Sequence, residues 1–226
     1  MPNVFRPSSV CRALLCALAV FAATSAYTQV IVPPTALERQ LSHVDIAVSG
    51  AGQFTNTVTG TNYLGQKLSQ EPSNTLGALV TIRYTHSPLI GFEFNYSYAR
   101  YTQNFTVPVP GVSPILGGAQ TNANEYTLGY VAHTPKLLGV QTFVAAGLGS
   151  IAFKGTPKGG QGLPEQARAA YYYAAGVEAP IGSPHFGVRA QFRQVFFLAP
   201  DFGQNYLTIK QRQITTEPAV GFYIHF

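Results

Sequence analysis

Six charged side chains, Asp45, Arg83, Glu93, Glu178, Arg189 and Arg193, stand out in a chain that is only 10% charged. Soluble domains carry about 25% charged residues, so such sparse charges need a reason to be where they are. Carboxylates beside guanidiniums can neutralise one another in a dry interior, or can let ions pass by exchanging partners. Nucleophilic catalysis needs a different set: a nucleophile, a histidine and an acid within hydrogen-bond reach. The five histidines are His43, His86, His133, His185 and His225. His86-Ser87 sets an imidazole beside a hydroxyl, but adjacent side chains in a tight turn diverge. No His/Cys spacing matches a metal site. Gly147-Leu148-Gly149 and Gly159-Gly160-Gln161-Gly162 lack the strand, helix and lysine of a phosphate loop. No catalytic, cofactor or metal site is expected, and no enzyme.

What positions the six charges is a repeated alternation of apolar and polar residues. The even positions of Leu76–Tyr84 are Leu76, Ala78, Val80, Ile82 and Tyr84, with Thr81 and Arg83 between them. From Ile90 to Tyr98 the even set is Ile90, Phe92, Phe94, Tyr96 and Tyr98, against Gly91, Glu93, Asn95 and Ser97. The same period of two runs through Val44–Phe54, Tyr126–Ala132, Val140–Leu148, Tyr171–Glu178, Val188–Arg193 and Ala219–Phe226. Period two is the signature of a strand. Short links (His86–Leu89, Thr134–Leu138, Pro180–His185) alternate with long ones near 55–74, 101–123, 153–168 and 198–213, rich in Gly, Pro, Asn, Gln and Thr. The reading is all-β: an eight-stranded antiparallel up-and-down transmembrane β-barrel.

The orientation follows from what each face carries. In a soluble barrel the apolar face would be the core, leaving water a surface of small residues with about one charge per strand, which is poor for solubility. Turned to lipid, the apolar face is satisfied, and the small residues suit a narrow lumen in which the charges pair. Membrane barrels alternate in this apolar-out, polar-in manner, and closure satisfies every backbone N–H and C=O. Tyr96, Tyr98, Tyr126, Tyr171 and Tyr173 fall towards the long-loop end, and Phe92, Phe186 and Phe226 towards the short-turn end, as two interfacial girdles would.

The N-terminus reads separately. Arg6 and Arg12 precede an apolar run, Ala13–Ala23, that ends in Thr24, Ser25 and Ala26. These are the parts of a secretory signal peptide over residues 1–26, and a run of about 11 residues is too short for a spanning helix, which needs about 20. Both cysteines, Cys11 and Cys16, lie in it. Cleavage would leave residues 27–40 as a periplasmic segment and 41–226 as the barrel domain. It would also lower the formal charge from +5 to +3, too little for a nucleic-acid surface.

The strand pieces Gly176-Val177-Glu178, Gly187-Val188-Arg189-Ala190-Gln191-Phe192-Arg193 and Val220-Gly221-Phe222-Tyr223-Ile224-His225-Phe226 carry a resemblance. The chain resembles the small outer-membrane β-barrel proteins of Gram-negative bacteria, the OmpA transmembrane-domain, OmpX-like and OmpW-like superfamily. The resemblance implies an outer-membrane location among lipid and lipopolysaccharide. It also implies that the C-terminal strand, with Gly221, Phe222, Ile224 and Phe226, is the signal read by the barrel-assembly machinery. It names no activity, since that superfamily includes anchors, adhesins, narrow channels and a few enzymes.

Three functional expectations remain. Arg83, Glu93, Glu178, Arg189 and Arg193 are expected to meet in the periplasmic half of the lumen as a salt-bridge plug, with an ion gate as the alternative. The loops, including Ser69–Asn74, Val107–Gly118 and Lys154–Pro164, are expected to carry surface interactions, Lys154 and Lys158 being within reach of lipopolysaccharide phosphates. A narrow channel is the runner-up to a structural or surface-interaction role, ahead of a soluble periplasmic ligand-binding barrel.

Overall fold

In β1 (Val44–Thr55) Asp45, Ala47, Ser49, Ala51, Gln53 and Thr55 are buried, while Ile46, Val48 and Phe54 are exposed. The residues between the apolar ones are thus the inward ones. This computed structural model describes residues 35–107 and 115–226; the expected signal peptide lies outside the described residues, as does most of the segment 27–40. A short helix, α1 (Ala36–Leu41), precedes β1.

β1 is followed by a small hairpin, β2 (Val58–Thr61) and β3 (Lys67–Pro72), and then by β4 (Thr75–Ser87), β5 (Ile90–Thr106) and β6 (Ile115–His133). β7 (Gln141–Gly155), β8 (Gln166–Ile181), β9 (Ser183–Leu198) and β10 (Arg212–His225) complete the chain. All pairings are antiparallel, running β5-β4-β1-β10-β9-β8-β7-β6, and the β5–β6 pairing closes the ring. Eight strands make the barrel, as the alternation requires. The orientation also holds: Glu93 and Arg189 are 4% and 1% exposed, whereas Tyr130 and Phe222 are 46% and 57% exposed.

Two features depart from the expected layout. The first long link is structured, because β3 pairs with β5 from Ser69↔Thr106 to Pro72↔Gln103 and carries β2 on its other edge. Ser69–Asn74 is therefore mostly strand. The strands also run further towards the long-loop end than the hydrophobic pattern: most of 101–123 is paired, from Tyr101↔Thr121 to Thr106↔Ile115. Beyond the apolar band of the outer wall neither face is uniformly apolar, so the period-two contrast fades while the hydrogen-bond ladder continues.

The short turns are tight. Leu138 and Gly139 both have positive φ (52° and 82°) between the bridged residues Leu137 and Val140, the backbone signature of a two-residue hairpin turn whose twist matches its strands. All five histidines stand at or beside this end of the barrel.

Candidate functional site: the filled lumen

Alternation aims one side chain in two at the barrel axis, and an eight-stranded barrel is just wide enough for its own side chains to fill it. Arg83 on β4 donates from Nε and Nη2 to Oε2 of Glu93 on β5, at 3.1 and 2.7 Å. Its Nη1 reaches across to Oε1 of Glu178 on β8, at 2.5 Å. Arg189 on β9 donates from Nε to the same Glu178 oxygen at 2.9 Å and from Nη2 to Asp45 Oδ1 at 2.6 Å. His133 Nε2 lies 3.1 Å from Arg83 Nη1. The Phe143 ring sits under Arg83, 4.3 Å from the guanidinium carbon. The ion pairs of this cluster cross-link five strands and His133 adds a sixth, β6, at the level of the short-turn half.

Arg193 is placed elsewhere. Four residues further up β9 than Arg189, it donates from Nη1 to Glu217 Oε2 on β10 at 2.7 Å, and from Nη2 to Glu125 on β6 and to Thr127 Oγ1 at 3.0 Å. The structure thus brings Arg83, Glu93, Glu178 and Arg189 together and assigns Arg193 to a second, higher cluster. Tyr172 connects the two: its hydroxyl donates to Glu93 Oε1 at 2.8 Å, and Arg193 packs over its ring at 4.4 Å. The ring is accommodated because Gly129 is bare; a Cβ there would sit 1.9 Å from the Tyr172 hydroxyl.

Glu125 and Glu217 were not among the expected site residues. The apolar alternation begins at Tyr126 and resumes at Ala219, so both acids lie just outside the segments that it marks. Their odd parity, in phase with Thr127 and Gly221, is the signal that would have found them. With them, among the described residues, five buried carboxyl groups face three buried guanidiniums.

Above the ion clusters the interior mixes aromatic and aliphatic side chains with buried amides and hydroxyls, among them Gln53, Gln103, Gln213 and Thr215. Tyr101, Phe105, Phe153, Val195 and Phe197 line the long-loop half, with Phe153 and Phe197 rings 5.4 Å apart. The segment 199–211 folds down onto them, burying Phe202, Leu207 and Ile209. The β2–β3 hairpin packs beside it so closely that a Cβ at Gly60 would lie 2.9 Å from Ile209. Asn62 donates to the Tyr206 carbonyl at 3.0 Å, and Gln70 to that of Pro200 at 3.3 Å. The last long link is thus a stopper within the barrel mouth. At the opposite end a 130 Å³ vestibule is lined by Asp45, His133, Lys136, Glu178 and His225, and the lower ion cluster forms its floor.

Asp201 fastens the stopper. It accepts from Gln166 Nε2 at 2.6 Å, Gly203 N at 3.1 Å, Thr208 Oγ1 at 3.1 Å and Arg168 at 2.9 Å. Gln166 Oε1 in turn receives the backbone N–H groups of Asp201 and Phe202, both at 2.9 Å. Those bonds hold Phe202 at φ 53°, a left-handed conformation that aims its ring inward. Partial burial alone would raise the Asp201 pKa, but the bond from Gln166, the Gly203 N–H, Arg168 and Thr208 outweigh it and hold it below the ordinary carboxylate value. A carboxyl lowered in the folded state stabilises it above the unfolded pKa of about 3.9, and that stabilisation is lost as pH falls through the folded value. The protection of 199–211, taken relative to the intrinsic exchange rate at each pH, is expected to hold steady from pH 7 to 5 and to decline below about 4. Asp201→Asn should flatten that acid response; an unchanged profile in the variant would rule Asp201 out as its source.

Arg189 tests the character of the lower cluster. Arg189→Ala strips Asp45 of its guanidinium but leaves Glu178 paired with Arg83. The melting temperature is expected to fall while single-channel conductance barely changes. An unchanged melting temperature with a large rise in conductance would mean that the cluster is a gate rather than a brace.

Among the described residues no three His, Cys, Asp or Glu side chains gather as a metal site. No protein-family model and no curated protein matches the chain. Solved structures do. The chain is similar to the Neisserial surface protein NspA at 12% identity and a TM-score of 0.51, over 81% of this chain and 97% of that one. It is also similar to the outer membrane protein OprG of Pseudomonas aeruginosa at 12% identity and a TM-score of 0.52, over 81% and 95%. At such identities the likeness is one of fold, a small up-and-down barrel.

Proposed function

We propose that this chain is an integral bacterial outer-membrane barrel, exported by a cleaved signal peptide over residues 1–26, with a structural or surface-interaction role carried by its long-loop end. The observation that carries the role is the lumen: two ion clusters and an apolar stopper fill it from the short-turn half to the mouth. A transport path would require these to move, whereas surface presentation requires only that they stay. The membrane location is supported by the outer wall, where Ile46, Val48, Phe94, Leu128, Val144, Leu148, Val220 and Phe222 are all exposed. Contiguous apolar surface on that scale is not tolerated by a monomer in water. The solved barrels of the same fold are, by name, an outer membrane protein and a surface protein.

The assembly signal belongs to the same proposal. Phe222, Ile224 and Phe226 project outward from the last strand, and Gly221 is bare where β10 meets β1 at Ser49. No enzymatic activity is part of the reading. Two measurements test it together. The protein should fractionate with outer membranes and migrate faster on gels before heating than after, as closed barrels do when they resist detergent. In planar bilayers it should show no steady conductance. Extraction into buffer without detergent would leave a soluble periplasmic barrel, and a stable conductance would favour the narrow channel.

A further inference from the structure

The strand registers place three residues of the outer wall in one row. Arg100 on β5 is opposite Asn122 on β6, and Asn122 is opposite Lys154 on β7. The row next below holds Tyr98, Asn124 and Ala152, and the one after it Tyr96, Tyr126 and Ser150. Six residues down the strands from the first row come Phe94, Leu128 and Leu148, all exposed on the apolar wall. Six residues are roughly 20 Å of strand, or about 14 Å of height at a 45° tilt, half the hydrocarbon thickness. If Phe94, Leu128 and Leu148 lie near mid-membrane, Arg100 and Lys154 lie at headgroup level in the outer leaflet.

The hydrogen bonds within this patch occupy the amide oxygens of Asn122 and Asn124, while the exposed carboxylate of Glu165 is ion-paired with Lys154, a contact that a bound anion would displace. Asn122 Oδ1 receives both Arg100 Nε, at 2.9 Å, and the Tyr98 hydroxyl, at 3.2 Å. Asn124 Oδ1 receives the Tyr96 hydroxyl at 2.9 Å. Each amide is thereby oriented with its NH2 group turned away from these donors. What is left to face a ligand is a set of donors: the two Nη groups of Arg100, two amide NH2 groups, the Ser150 hydroxyl and Lys154 Nζ. Glu165, 3.8 Å from Lys154, bounds the row on the β8 side. A donor surface with two cations, standing on tyrosines and then on aliphatic wall, matches an anion that is itself attached to acyl chains.

We propose that the row Arg100–Asn122–Lys154 binds the phosphate of a phosphorylated glycolipid in the outer leaflet, whose acyl chains run down the wall over Leu128 and Leu148. The site rests on the membrane reading given above. Arg100 presents a fork to the phosphate while its Nε stays on Asn122, the amides bind phosphate or adjoining sugar oxygens, and Lys154 adds a point charge about 10 Å away, two strand spacings across.

The test uses the full barrel refolded in detergent micelles, offered bisphosphorylated lipid A or the same lipid enzymatically dephosphorylated, with retained lipid counted by native mass spectrometry. Wild-type protein is expected to retain the phosphorylated lipid about fivefold better, the upper end for an exposed ion pair. Arg100→Gln with Lys154→Gln should abolish that preference, as should Asn122→Asp, which sets a carboxylate in the row. Arg212→Gln, an exposed cation on β10 across the barrel, should leave it intact. Equal retention of the two lipids by the wild type, or a loss in Arg212→Gln as large as in the double variant, overturns the site. Heat-modifiable migration of each sample separates the two levels. A folded barrel without preference removes the site alone, and a wild type that never forms a heat-modifiable barrel removes the membrane reading and the site with it.

Discussion

Replacing Arg193 with Met is expected to cost the barrel about 3–5 kcal/mol, the penalty for leaving buried charge without its partner. The reason is stoichiometry. Arg193 is the guanidinium that touches both Glu125 and Glu217, and Met fills similar volume without replacing the charge. Two carboxylates would then face each other in a dry lumen, and the cation over the Tyr172 ring would be lost as well. The lower cluster is more tolerant, because each of its guanidiniums meets two carboxylates and Glu178 meets both of them. Urea unfolding in lipid vesicles, followed by the heat-modifiable band, should show a large drop in midpoint. Adding Glu125→Gln and Glu217→Gln to the variant should recover most of it. An undiminished midpoint in Arg193→Met alone would mean that the upper cluster does not brace the barrel.

Phe202→Ala is expected to act on the stopper instead. The ring is fully buried between strand side chains and the β2–β3 hairpin, and truncating a buried Phe costs about 3–5 kcal/mol. The segment 199–211 lies between β9 and β10, outside the barrel ladder, so the loss falls on local opening, not global unfolding. Hydrogen exchange and protease cleavage within 199–211 should accelerate by several orders of magnitude, while the barrel's melting temperature stays near that of the wild type. Conductance should remain low, because the ion clusters below are untouched. Phe202→Leu, which keeps most of the apolar volume, should show a much smaller effect. If Phe202→Ala instead melts the barrel as Arg193→Met does, the stopper is part of the barrel's own core.

The alternation in β4 and β5 makes Arg83 and Glu93 inward residues before any coordinates are known, because their neighbours Ile82 and Phe94 cannot both be inward with them. The same reasoning reaches Glu178, Arg189 and Arg193. It could not say which charges meet. Parity gives a side chain's face, whereas its partner depends on the stagger of strands that are distant in sequence. Arg83 and Glu178 are 95 residues apart, and Arg193 and Glu125 are 68 apart. Depth judged from the nearest turn grouped Arg193 with the lower charges, although four residues of strand beyond Arg189 put it opposite Glu217.

The stopper was illegible for a different reason. Residues 198–213 have the Gly, Asn, Gln and Pro content of an exposed link, and the apolar residues Phe202, Leu207 and Ile209 have no regular spacing. Their burial is decided by the width of the mouth, by β2 and β3, and by the Asp201–Gln166 bonds that fix a left-handed backbone at Phe202.

The sequence by itself determined the eight strands of the barrel and which face of each meets the lumen, though not the β2–β3 hairpin, since a period of two can be read locally and one slipped residue would turn every side chain to the wrong side. Only the tertiary structure decided what fills the mouth of the barrel, which acids serve which guanidiniums, and where cations and tyrosines align on the outer wall. Those are properties of register around a closed ring and of a link folded into its mouth, and both depend on contacts between residues that no local pattern brings together.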